Sequence, residues 1–235
     1  MEEVAYIEDK LSFVKKNILD DKNDILILTE KSVQLHVIQE EPHVSVCKLQ
    51  MGDLIFLVFA VHLLSPLFKE EQARNDIVTE LSRDIEKLEK DKLGEQGCSI
   101  VVGDFNLQPY AHGMVSKQGL NATMNSARAL KGLRNQKSKD KFGRSIRKFY
   151  YNPMWSIMGA DKVVQGTYYS GSDSKNESVY WYTWDQVLIR PELISHFPMN
   201  ELQVITSIEE ISLLRNSIIN SKEFSGHLPI IFEID

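Results

Sequence analysis

The stretch Leu54-Ile55-Phe56-Leu57-Val58-Phe59-Ala60-Val61 is apolar at every position. A strand with apolar side chains on both sides of its pleat must be covered on both faces, so this chain has to build layers around it. Residues 99–102 form the next apolar strand and stop at Gly103-Asp104. Between the two, Ala73, Ile77, Leu81, Ile85 and Leu88 recur at helical spacing, which predicts a helix over 70–92 that Gly94 and Gly97 end. Upstream, 25–28 reads as a short strand, and 33–38 and 44–49 alternate around the turn-like Glu40-Glu41-Pro42. Val4, Ile7, Leu11, Val14 and Ile18 predict an amphipathic helix over 3–19. The region 110–178 is poorer in pattern; strands are predicted near 163–169, 179–184, 186–189, 203–205 and 230–234, with a helix over 208–220. Strands and helices mix without a strict βαβ repeat, which favours α+β, sandwich-type layering over a doubly wound parallel sheet. No convincing boundary divides the chain, so 1–235 reads as one domain.

Charge bears on partners. The net charge is −6, yet between Arg128 and Lys148 nine basic residues face only Asp140, a local +8 that leaves −14 for the rest. Such a stretch suits a polyphosphate backbone, with a solvated loop as the plainer reading. Cys47 and Cys98 have no Cys or His at zinc spacing and read as small core residues. The acidic start Met1-Glu2-Glu3-Val4 is unlike a signal peptide, and no apolar run reaches the roughly 20 residues of a membrane span. The expected home is a reducing cytoplasm.

The chemistry concentrates at strand ends. In Ser99-Ile100-Val101-Val102-Gly103-Asp104-Phe105-Asn106 a strand delivers an acid and an amide, two residues apart, to a turn. Asp104 can orient or deprotonate a water, while Asn106 donates to a phosphate oxygen and holds that acid in place. Asp and Asn are also common turn formers, so this feature alone is weak. Three others join it: His62 at the end of the first apolar strand, Asp185 in Trp184-Asp185-Gln186-Val187-Leu188-Ile189, and His227 in Ser225-Gly226-His227-Leu228-Pro229. An Asp185–His227 pair would fix the imidazole tautomer and favour its protonated form near a phosphate.

The segments GDFN, W-x-D-x-V-L and S-x-H-x-P, in this order from about Asp24 to the C-terminus, resemble the endonuclease/exonuclease/phosphatase superfamily, which includes deoxyribonuclease I and the abasic-site endonucleases. The resemblance implies a four-layered α/β/β/α sandwich, two mixed sheets packed face to face with helices outside, and one divalent-metal-dependent hydrolytic site. On that resemblance Glu30 would bind the metal, Mg2+ or Mn2+, and His62 would contact the scissile phosphate. Asp104 and Asn106 would position the water and the phosphate, and Asp185 and His227 would stabilise the charge that builds on phosphoryl oxygens. Arg147, Tyr150, Tyr151, Asn152 and Trp155 are weaker candidates for substrate contact.

Two departures from the family pattern stand out. The chain opens in the predicted helix where the family has a strand carrying an asparagine; either the true start lies upstream, or the strand is lacking and another segment, a partner or a second copy would cover its place. Gly226 stands where the family has Asp, so a carboxylate near the metal is lost while the Asp185–His227 pair is kept. The leading expectation is a metal-dependent nuclease hydrolysing DNA, ahead of RNA. The alternatives are a phosphatase or phosphodiesterase on a small phosphoester or phospholipid, and a catalytically degenerate nucleic-acid-binding subunit.

Overall fold

The computed structural model describes residues 12–13, 25–29, 33–67, 69–95, 97–134, 143, 147–159, 162–171 and 178–235. In chain order its elements begin with β1 (Ser12–Phe13), β2 (Leu28–Thr29), β3 (Gln34–Glu41), β4 (Val44–Met51) and β5 (Leu54–His62). Helix α1 (Glu71–Leu93), β6 (Ser99–Asp104), α2 (His112–Val115), β7 (Ala122–Thr123), α3 (Ser126–Arg134), β8 (Tyr150–Tyr151) and α4 (Trp155–Met158) follow. The remainder is strands: β9 (Tyr168–Tyr169), β10 (Trp181–Tyr182), β11 (Asp185–Ile189), β12 (Gln203–Val204), β13 (Ser207–Ile208), β14 (Ile211–Ser212), β15 (Leu214–Arg215), β16 (Ile218–Ile219) and β17 (Ile230–Ile231), with short 3-10 turns between β11 and β12.

One mixed seven-stranded sheet, ordered β3-β4-β5-β6-β11-β8-β7, carries the architecture, and smaller two-stranded sheets accompany it. The β5–β6 and β7–β8 pairs are parallel and its other pairings antiparallel. With α1 between them, β5 and β6 form the parallel crossover for which such a helix is needed. The central strands are buried on both faces, as the apolar run in β5 requires. Leu57, Phe59, Val101 and Leu188 pack with Val78, Leu81 and Ile85 of α1 on one side. Their alternates Phe56, Ile100, Val187 and Ile189 pack with Met154, Leu193 and Phe197 on the other. This is an α+β sandwich. Both cysteines are free and buried, and burial pushes each thiol up to about 11.

Two local expectations change. Of the helix predicted over 3–19 only Ser12 and Phe13 are described, and they form a strand paired with Leu28 and Thr29; its other residues lie outside the described set. The segment 208–220 is two hairpins, β13–β14 and β15–β16, instead of a helix. Ile208, Ile211, Leu214 and Ile218 imitate helical spacing, but Asn216 and Ser217 both hold positive φ (52° and 64°), the backbone of a two-residue type I′ turn. Local turn chemistry outweighed the apparent period.

The polar residues Asn75, Ser82 and Glu89 lie on the buried side of α1, and each has a partner there. Glu89 matters most. Its carboxylate takes two hydrogen bonds from Arg190, 2.8 and 2.9 Å, and one from Ser99 at 2.6 Å, with both charged side chains 1% exposed. Arg190 also donates to the Lys148 and Phe149 carbonyls and lies 3.8 Å over the Tyr150 ring, whose hydroxyl bonds Ser99. Removing one partner strands a buried charge. Arg190→Met is expected to lower unfolding stability by about 3–5 kcal/mol, and adding Glu89→Leu to recover most of that loss. Urea denaturation of the three proteins measures it.

Candidate active site

The site follows from sheet register. In the parallel β5–β6 pair His62 lies opposite Asp104, and in the antiparallel β6–β11 pair Asp104 lies opposite Asp185. Three chemistry-bearing residues therefore stand abreast at one end of the sheet. Gly103 makes the close approach possible: its φ is +134°, and a Cβ there would lie 2.0 Å from the Val61 carbonyl oxygen. His227 joins from the segment before β17, where its backbone bridges Tyr168.

Asp104 is held from one side. One of its carboxylate oxygens accepts the Asn106 backbone N–H at 2.7 Å, and the other accepts the Asn106 side-chain amide at 2.9 Å. Asn106 can turn back this way because it sits at φ 51°, a left-handed conformation that Asn tolerates better than most residues. Its amide also donates to the Leu63 carbonyl at 2.8 Å, and its own carbonyl accepts from Arg74 of α1. The His62 ring nitrogen is 3.9 Å from the Asp104 carboxylate. Asp185 accepts from His227 Nδ1 at 2.7 Å, and its backbone N–H donates to the Thr167 hydroxyl at 3.0 Å. Tyr168 backs the pair, stacked on Trp184 at 4.3 Å with its ring centroid 4.9 Å from that of His227.

The electrostatics follow from this packing. Burial, then the facing charge of Asp185, push the Asp104 carboxyl above its ordinary value, and the Asn106 N–H and the two histidines only partly offset them. For His227, burial works against the charged ring, but the hydrogen bond and charge of Asp185, with Asp104 behind it, prevail and raise its pKa above 6.5. Ligand atoms of Asp104, Asp185 and His227 lie within 4.8 Å of one another. Two opposed carboxylates fit a hard divalent cation in donor type, since Mg2+ is commonly held by one or two carboxylates plus substrate oxygens. Gly226 adds no donor, although an added Cβ there would meet only the Tyr168 ring edge at 3.9 Å.

His62, Asp104, Asn106, Asp185 and His227 are thus brought together. Glu30 lies outside the described residues. Tyr150 and Asn152, expected at the substrate surface, are instead in the core, 1% and 0% exposed. Tyr150 serves the Arg190 network, and Asn152 bonds Gln186 and the Met154 N–H. Tyr151 is buried as well. Arg147 turns to Glu86 of α1, whose carboxylate also accepts the Lys148 backbone N–H, so this end of the basic stretch is anchored to α1. Lys137, Lys139, Lys141 and Arg144 fall outside the described residues. Trp155 is tied to Tyr110, with ring centroids 6.1 Å apart. Arg74, Thr167 and Tyr168 escaped the sequence reading because no motif marks them.

Because the folded value for His227 lies above the ordinary 6.5, its stabilising charge is fully present below that pH and is lost as pH rises through the folded value. In the metal-free protein, Asp185→Asn is expected to bring the His227 titration down, read by NMR of the ring protons.

No protein-family model and no curated protein matches the sequence. Solved structures do. Truncated TDP2 from Caenorhabditis elegans superposes with a TM-score of 0.51 at 12% identity, covering 99% of this chain and 79% of that one. The endonuclease domain of TRAS1, a telomere-specific non-LTR retrotransposon, gives 0.47 at 10% identity, over 88% and 71%. The 3′-5′ exonuclease NExo from Neisseria meningitidis gives 0.45 at 14%, over 88% and 73%. Among the described residues no helix is long and apolar enough to cross a membrane. The likeness to truncated TDP2 shows that this chain shares its fold, and at one end of the layered sheet that fold gathers the GDFN, W-x-D and S-x-H segments.

Proposed function

We propose that the chain is a divalent-metal-dependent phosphodiesterase that hydrolyses DNA with water as nucleophile. The observation that carries this reading is the placement of an oriented acid, Asp104, beside an ion-paired imidazole, His227–Asp185, at one end of the sheet. Asp104 takes the proton as the water oxygen attacks phosphorus, and its raised pKa makes it the stronger base. Asn106 fixes the direction of that carboxylate. With Nδ1 committed to Asp185, His227 has Nε2–H to donate to a phosphoryl oxygen, where negative charge grows as the bond to the leaving oxygen breaks. His62, 47% exposed in its side chain, offers a second donor from the neighbouring strand. A Mg2+ or Mn2+ ion, with Glu30 expected among its ligands, would supply Lewis-acid stabilisation of the phosphoryl and leaving oxygens.

Gly226 is the specific observation favouring the other reading, a nucleic-acid-binding subunit with weakened catalysis, and one experiment separates the two. The protein, Gly226→Asp and Asp104→Ala are incubated with single- and double-stranded DNA, and with a phosphomonoester, in Mg2+, Mn2+ or EDTA. The expected outcome is metal-dependent DNA cleavage that rises in Gly226→Asp and falls by about a hundredfold or more in Asp104→Ala. Salt-sensitive binding with no cleavage by any of the three overturns the enzymatic reading in favour of the binding subunit. Turnover of the monoester alone would move the substrate away from DNA.

A further inference from the structure

Beside Asn106 opens a cleft of about 450 Å³ whose walls include Arg74, Gln108, Tyr110, Tyr182 and Trp184. A second cleft, about 320 Å³, continues from it toward Tyr180 and Trp181. The two share Gln108, Tyr110 and Val179, so they form one trough leading away from the proposed phosphate position. Each is at the small end of the roughly 300–1,000 Å³ range of ligand-sized sites.

The walls have a definite chemistry. Tyr110 and Tyr180 are 50% and 45% exposed, unusually open for large aromatic rings. Both rings are backed by others: Tyr110 by Trp155 at 6.1 Å, and Tyr180 by Tyr169 at 6.4 Å and 21° between planes. Trp184, deeper in the first cleft, is stacked on Tyr168. Rings already held by neighbours lose little freedom when a flat ligand stacks on them. The Gln108 amide oxygen accepts the Thr183 N–H at 3.1 Å, which turns its amide nitrogen, without a hydrogen-bond partner among the described residues, toward a ligand's acceptor. Arg74 supplies positive charge at the end nearest Asn106, and its buried Nε has no hydrogen-bond partner among the described residues.

We propose that this trough is a subsite for two consecutive unpaired nucleotides on one side of the scissile phosphate, with a base stacked at Tyr110, the next at Tyr180, and Arg74 on the phosphate side. Aromatic walls bind base faces, which a duplex hides in its own stack while presenting only base edges and backbone. The substrate class is therefore single-stranded nucleic acid, or a single-stranded end. This rests on the phosphodiester reading of the adjoining site.

The test measures binding in EDTA, so that no turnover is needed. Fluorescence anisotropy compares a short labelled oligothymidylate, its duplex with oligoadenylate, and an abasic strand of equal length, for the wild type, Tyr110→Ala and Tyr180→Ala. Tight binding of the oligothymidylate alone, weakened on the order of tenfold by each substitution, is expected. Equal or tighter binding of the duplex or the abasic strand, unchanged affinity in both variants, or no binding of any probe overturns it. Both tyrosines are half exposed, and thermal unfolding verifies that the variants fold. Hydrolysis of bis(4-nitrophenyl) phosphate by the wild type with Mg2+ or Mn2+ reports the hydrolytic centre separately. That turnover without oligothymidylate binding sinks the trough alone, and binding without turnover sinks only the catalytic reading.

Discussion

The buried Glu89–Arg190 pair is the contact on which the arrangement depends. It joins α1 to the end of β11, reaches Ser99 at the start of β6, and stacks on Tyr150 of β8. The Arg190 backbone N–H donates to the Ser99 carbonyl, which closes the β6–β11 ladder at that end. Burying two charges costs desolvation that their attraction only partly returns, so the pair does more to select one arrangement than to add stability. A slip of one residue between β6 and β11 would pull Arg190 from Glu89 and turn each side chain to the wrong face. It would also part Asp104 from Asp185 at the far end.

What the register delivers at that far end is deliberately unfavourable in isolation. Two carboxylates face each other, a non-glycine residue sits at positive φ, and a strand glycine lies where no side chain fits. Strain and like-charge repulsion are found where chemistry needs them. Here burial, then the facing charge of Asp185, raises the basicity of Asp104, and the hydrogen bond to Asp185 favours the charged form of His227. Fold alone does not fix function; the functional reading stands on these side chains and on the aromatic trough beside them.

Much of this was legible in the sequence. The apolar run in β5 implied a sheet covered on both faces, the spacing from Ala73 to Leu88 marked α1 to within a residue or two, and Gly103-Asp104-Phe105-Asn106 marked the turn that carries the acid. Periodicity reports burial, and burial is what those features share. It does not report partners. Glu89, Asn75 and Ser82 are polar letters on a helix, and only the structure shows each one bonded inside. Tyr150 and Asn152 failed for the same reason: an aromatic and an amide beside basic residues suit a binding surface or a core network equally well, and Arg190 decides for the core. The 208–220 hairpins show the converse, where positive-φ turns at Asn216 and Ser217 broke a spacing that looked helical.

The most direct test of the account asks whether the strand-end residues act as one phosphate site. The chain has six histidines, and ring-proton NMR resolves them individually. Dimethyl phosphate, a non-cleaved diester probe, is titrated into the protein in the presence of Mg2+. The His62 and His227 signals are expected to shift together along one saturable curve while His36, His43, His112 and His196 stay in place. Shifts confined to the other four, or His62 and His227 unmoved at saturating probe and metal, would contradict it.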